Sequence, residues 1–135
     1  MIVLDAPVLA AVVGDDGDDG ARCRALLRAG REAALPDFAD LEAAAVLRKR
    51  WLGRGLSDTR LLEALSALAA LPFPRFPARD FLHRAYELKA NVSPYGAAYI
   101  ALAEALGAEL VTADRRLASA PGIRCRVQVV PPFAG

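Results

Sequence analysis

Ile2-Val3-Leu4-Asp5 and Glu109-Leu110-Val111-Thr112-Ala113-Asp114 are the stretches on which the fold turns. Each contains a short apolar run of the kind that makes a strand buried on both faces. Each run gives way to an aspartate, and helix-compatible sequence follows. Ala33-Ala34-Leu35, closed by Pro36, and Arg126-Val127-Gln128-Val129-Val130 read as two further strands. Pro72 to Pro77 is a proline-punctuated segment with room for a short edge strand. Helices are predicted over residues 6–13, 18–28, 39–53, 57–71, 78–89 and 93–106, and a short one from Asp114 to before Pro121. Their boundaries follow from Asp18 or Asp19, Asp40, Ser57 and Ser93-Pro94 as start signals, and from Gly53 and Gly107 as stops. Gly14 to Gly20 reads as a loop and Pro131 to Gly135 as a tail. Short strands alternating with helices imply an α/β fold whose central, mainly parallel sheet is flanked by helices.

The chain has 135 residues, of which 55% are hydrophobic and 24% charged, a composition that fits one globular domain around one core. A net charge of +1 excludes a polycation, so any nucleic-acid contact must rest on local basic clusters. Cys23 and Cys125 lie far apart and outside zinc-type spacing, as expected of free thiols in a reducing compartment. The apolar N-terminus lacks a basic region and is interrupted by Asp5, so no signal peptide or membrane span is predicted and a cytoplasmic location is expected.

In an open parallel sheet, ligands bind beyond the carboxyl ends of the strands. Asp5 and Asp114 both lie at such ends and could converge in one crevice. Paired carboxylates there suit a hard divalent cation that activates water against a phosphodiester. Each aspartate also reads as an ordinary helix N-cap. Glu42 is a third candidate, in the first turn of its helix, where a carboxylate also suits the macrodipole. Asp40 beside it reads as the N-cap. Val46 and Lys49 follow Glu42 on roughly one helical face. Lys49, Arg115 and Arg116 flank the acidic positions and are the candidates for contact with RNA phosphates. Tyr95, Tyr99 and Trp51 could stack on bases, but their apolar helical spacing favours core or dimer packing. The leucines of helix 57–71 read as core.

Other chemistries find little support. The run Asp15-Asp16-Gly17-Asp18-Asp19 fails the calcium-loop pattern. His83 is the only histidine and no nucleophile motif accompanies it. No glycine-rich phosphate loop is present.

Four segments together resemble the acidic motifs of PIN domains, and specifically the VapC toxins of type II toxin–antitoxin systems. They are Ile2-Val3-Leu4-Asp5-Ala6-Pro7-Val8-Leu9, then Pro36-Asp37-Phe38-Ala39-Asp40-Leu41-Glu42 with Leu47-Arg48-Lys49. Asn91-Val92-Ser93-Pro94-Tyr95-Gly96-Ala97-Ala98-Tyr99-Ile100-Ala101-Leu102-Ala103 and Leu110-Val111-Thr112-Ala113-Asp114-Arg115-Arg116-Leu117 complete the set, in order. The resemblance implies a single three-layer PIN domain over residues 1–135. It implies an endoribonuclease dependent on Mg2+ (or Mn2+), a homodimer, and a cognate antitoxin as partner. An antitoxin helix would find a groove near the first helices. Carried over position by position, Asp5, Glu42 and Asp114 become the catalytic and metal-binding carboxylates. Two departures stand out: Pro7 replaces the usual serine or threonine, and Gly96 stands where the family places another acidic ligand.

Gly96 is also unexpected on local grounds. With Ser93 as N-cap it is the third helical residue, where an acidic side chain is favoured. Glycine inside a helix costs about 1 kcal/mol relative to alanine. The sequence is compatible with a naturally weakened enzyme, with a substitute ligand nearby, or with an inactivated copy. The alternative function is a catalytically inactive PIN domain that binds antitoxin or RNA.

Overall fold

β1 (Ile2–Leu4) is the middle strand of a five-stranded sheet of order β3-β2-β1-β4-β5. The computed structural model describes residues 1–28 and 30–131, so all but the first residue of the predicted tail lies outside the described residues. β2 spans Ala33–Pro36, β3 Arg75–Phe76, β4 Glu109–Thr112 and β5 Val127–Val129. Every pairing is parallel; Val3 lies between Ala34 of β2 and Leu110 of β4, and Thr112 pairs with Val129. Ile2, Val3 and Leu4 are completely buried, as are Leu110, Val111 and Thr112. That is why these short runs carry no polar alternation: helices cover both faces of the sheet.

One layer contains α1 (Ala6–Gly14), α2 (Asp18–Arg28), α3 (Ala39–Leu52) and α4 (Asp58–Ala70), with α1 packed against the other three. Eight residues of α1 are buried, as expected of a helix that is apolar all round. Gly14 lets α3 approach at the end of α1, since a β-carbon there would lie 2.5 Å from Leu47 Cδ2. The other layer contains α6 (Pro94–Leu106), which packs on β1, β2 and β4, and α5 (Leu82–Glu87), which packs on α6. α7 (Arg115–Ala118) is a single turn after β4. Arg84 ties this layer together. It forms a two-pronged ion pair with Glu104 at 2.8 and 2.9 Å and donates to the Gly122 carbonyl at 2.6 Å.

Several elements differ from the sequence reading. The predicted helix 78–89 is a 3-10 turn, Ala78–Phe81, followed by the shorter α5, because Phe81 leaves helical geometry as its ring turns onto the core. Asp40 is not the cap of α3. Phe38 occupies that position, and Asp40 instead grips Arg75 with two bonds of 3.1 and 3.0 Å. The leucine stripe of α4 is only partly core: Ala64 and Leu68 are buried, whereas Leu62 is exposed, because α4 packs mainly on α1 and α3. Trp51 and Tyr95 are exposed within this chain. No helix among the described residues is long and apolar enough to cross a membrane.

Candidate active site at the ends of β1 and β4

The chain runs outward from β1 through β2 to β3, then returns to the other side of β1 to form β4 and β5. The winding therefore reverses between β1 and β4, and the carboxyl ends of these two strands flank the switch-point crevice. Asp5 follows β1 directly, and its backbone N–H donates to the Val111 carbonyl of β4 at 3.1 Å. Its side chain is the N-cap of α1 and accepts from the Val8 N–H at 3.2 Å through Oδ1. Pro7 in that first turn removes an N–H that has no helical partner there anyway. Asp5 Oδ2 accepts from the Thr112 hydroxyl and from the Ala113 N–H at 3.3 Å.

Thr112 joins the two aspartates. Its Oγ1 donates to Asp5 and accepts from the Asp114 N–H at 2.9 Å. It is completely buried, and the sequence reading treated it only as a strand residue. The available signal was a hydroxyl at the last position of a buried strand, two residues before a candidate carboxylate. Such a group needs a partner when buried.

The two aspartates have opposite electrostatics. Burial pushes the Asp5 carboxyl from its ordinary 3.8 up to about 6. The bonds from Thr112, Val8 and Ala113 oppose the rise, and the charge of Asp114 adds to it. Asp114 caps α7 by accepting from the Arg116 N–H at 2.9 Å, and its carboxylate also receives the Arg116 guanidinium at 3.2 and 3.3 Å. That pairing holds it below the usual carboxylate range.

Glu42 lies in the first turn of α3 and accepts from the Tyr99 hydroxyl at 2.8 Å. Tyr99 is buried, edge-on to Phe38, which also meets Tyr95 edge-on. Its hydroxyl is pushed far above the ordinary tyrosine range, first by burial, then by Glu42, and further by the charges of Asp5 and Asp40. Of these carboxylates, Glu42 alone bonds to that hydroxyl; Asp5 and Asp40 act on it through charge. The Tyr99–Glu42 contact was missed because an aromatic at a core-facing helical position reads as packing alone.

Gly96 lies one turn before Tyr99 on α6, and its N–H donates to the capping Ser93 Oγ at 3.2 Å. Lys49 is exposed in the last turn of α3, about 10 Å along the helix axis from Glu42. Arg115 and Arg116 are exposed on α7, with Arg116 committed to Asp114. Among the described residues, no group of three or more His, Cys, Asp or Glu side chains converges to hold a metal ion. The donors are nevertheless hard carboxylate oxygens, and Asp5 and Asp114 repel one another. A divalent cation would relieve that repulsion, so the residues suit one in kind though not in number.

The parallel sheet, with Asp5 and Asp114 following its neighbouring strands β1 and β4, places the chain among α/β proteins whose sites lie at the switch point. The PIN domain family matches residues 2–123. Ribonuclease VapC9 of Mycobacterium tuberculosis is 37% identical over 131 residues, covering 97% of this chain and 99% of that protein. Ribonuclease VapC1 of the same organism is 34% identical over 129 residues, 95% and 96% of the two chains. The chain belongs to the PIN-domain family, as a VapC-type member. Among solved structures, PAE2754 from Pyrobaculum aerophilum superposes with a TM-score of 0.57 at 24% identity, over 92% of this chain and 89% of that one. FitAcB from Neisseria gonorrhoeae gives a TM-score of 0.55 at 16% identity, over 94% and 96%. These two similarities bear on the fold alone.

Proposed function

We propose that residues 1–135 act as one PIN domain that cleaves RNA, with Asp5, Glu42 and Asp114 as the working carboxylates and weakened metal affinity caused by Gly96. The observation that carries this reading is the buried Thr112 hydroxyl, which bonds to Asp5 and to the Asp114 backbone at the topological switch point. Asp5 and Asp114 would hold Mg2+ (or Mn2+), directly or through water. When bound, such an ion makes a water more acidic and offsets charge growing on the phosphate. Tyr99 fixes one oxygen of Glu42, leaving the other to bind the ion or orient the attacking water. Water oxygen bonds to phosphorus as the bond to O3′ breaks, and a proton passes to the departing oxygen, giving a 3′-hydroxyl and a 5′-phosphate. Arg115 and Arg116 on α7 suit the flanking phosphates, with Arg116 exchanging its bond to Asp114 for one to RNA; Lys49 serves a more distant phosphate.

The relatives named VapC support a cognate antitoxin as partner. The exposed Leu41, Trp51 and Leu52 of α3 and Leu62 of α4 suit an antitoxin helix or a second copy in a homodimer. A cytoplasmic location accords with this assignment.

A second reading is a catalytically inactive module that binds antitoxin or RNA. The pairing of Asp114 with Arg116 and the absence of a converged carboxylate group among the described residues favour it. Cleavage of a defined RNA panel with Mg2+, by the native chain and by Asp5→Asn, separates the two. Metal-dependent cleavage lost in Asp5→Asn supports the enzyme. Tight RNA or antitoxin binding without cleavage supports the module.

A further inference from the structure

α6 and α7 meet at a residue with no side chain. A β-carbon on Gly96 would lie 2.9 Å from Val92 Cγ1, 3.1 Å from Leu117 Cδ2 and 3.6 Å from Ser93 Oγ. Carbon atoms pack best at about 3.5–4.0 Å, so the first two contacts exclude a side chain unless something moves. The backbone makes no such demand. Gly96 is not among the positive-φ glycines, which are Gly30, Gly107 and Gly122. Packing, not chain conformation, therefore accounts for glycine in a helical position that disfavours it. Val92 is buried and β-branched, hence stiff about χ1. Leu117 is half-buried and belongs to the one-turn α7 that Asp114 caps. The single turn that Asp114 caps is thus coupled to α6 through this contact.

We propose that Gly96 is the seat of α7: the missing side chain lets Leu117 dock on α6, and Leu117 thereby acts as a positioning residue for Asp114. The inference rests on the reading of Asp114 as a site residue, but its packing half stands apart from catalysis. The missing carboxylate on α6 and the docking of α7 are then one arrangement. An aspartate returned to position 96 meets Val92 Cγ1 and Leu117 Cδ2 and needs both to shift.

Gly96→Ala tests this in three backgrounds: the native chain, Leu117→Ala and Val92→Ala. Urea unfolding reads the packing, and the amide cross-peak of Arg116, which bonds to Asp114 Oδ1 at 2.9 Å, reads the position of the cap. The expected result is a lower urea midpoint and a displaced Arg116 cross-peak for Gly96→Ala. In the Leu117→Ala background the loss is smaller or reversed, and the Arg116 shift caused by alanine disappears. If Gly96→Ala fails to fold, recovery of folding in Gly96→Ala/Leu117→Ala carries the same meaning. A raised midpoint for Gly96→Ala in the native chain, or an equal change with and without Leu117, overturns the proposal. So does coupling to Val92→Ala alone. If coupling to Leu117 appears while the native chain and Asp5→Asn bind Mn2+ equally, the docking of α7 stands and the active-site reading falls.

Discussion

Removing the charge of Asp5 should flatten the dependence of stability on pH. The Asp5 carboxyl is buried and its pKa rises from 3.8 to about 6 on folding. Between these values the folded chain binds the extra proton, so its stability falls as pH increases. The contribution is fully present below 3.8 and is lost once pH has risen through about 6. At roughly 1.4 kcal/mol per pH unit, the loss from this group alone is about 3 kcal/mol without metal. Asp5→Asn has no proton to lose. It carries a fixed penalty of about 1–3 kcal/mol instead, because its amide keeps one acceptor oxygen and sets N–H groups at the other position, against either the Val8 N–H or the Ala113 N–H. That penalty does not vary with pH. Urea unfolding of both chains in chelator, at intervals from pH 4 to 7.5, isolates the difference. The stability of the native chain relative to Asp5→Asn should fall by about 2.4 kcal/mol across the series, the part of the full loss that lies above pH 4. Added Mg2+ at pH 7.5 should recover more stability in the native chain than in the variant. A constant difference between the two chains from pH 4 to 7.5 would refute the reasoning.

Further outcomes follow from individual contacts. Tyr99→Phe removes the bond to Glu42 Oε1 and should slow RNA cleavage with little change in RNA affinity, while lowering stability by about 1 kcal/mol in urea unfolding. Arg116→Ala frees the Asp114 carboxylate, which should raise its pKa toward the ordinary value and tighten Mn2+ binding, read by paramagnetic resonance titration. Glu104→Gln breaks the pair with Arg84 and should cost about 1–3 kcal/mol in urea unfolding at pH 7. Burial raises the Glu104 carboxyl, but bonds from Arg84 and the Arg124 N–H outweigh it, and the result lies below the ordinary 4.5. The stabilisation from Glu104 is therefore present above 4.5 and lost as pH falls through the depressed value, so the cost of Glu104→Gln should shrink in acid.

The strands were legible because burial on both faces leaves no polar alternation, and Ile2–Leu4 and Glu109–Thr112 appear where those runs place them. Ser57 and Ser93 were legible as caps because each accepts from the N–H three residues on. The limits were set by tertiary competition. Asp40 has the side chain of a cap, yet Arg75 recruits it from β3, a partner 35 residues away. Thr112 and Tyr99 were invisible as polar partners because each bonds across the fold, to Asp5 and Glu42, at separations of 107 and 57 residues. The two aspartates could be placed at strand ends from sequence because a short strand fixes the residue that follows it.

A ribonuclease framework short of one carboxylate should show itself in Mg2+-dependent cleavage of one RNA panel. Three chains are compared: the native protein, Gly96→Asp/Val92→Ala, in which the nearest contact at position 96 is relieved while Leu117 stays in place, and that variant carrying Asp5→Asn as well. Slow cleavage is expected from the first, faster cleavage from the second and none from the third. Failure of the second chain to cut any RNA, while folded and binding Mg2+, would contradict that framework; so would cleavage that survives Asp5→Asn.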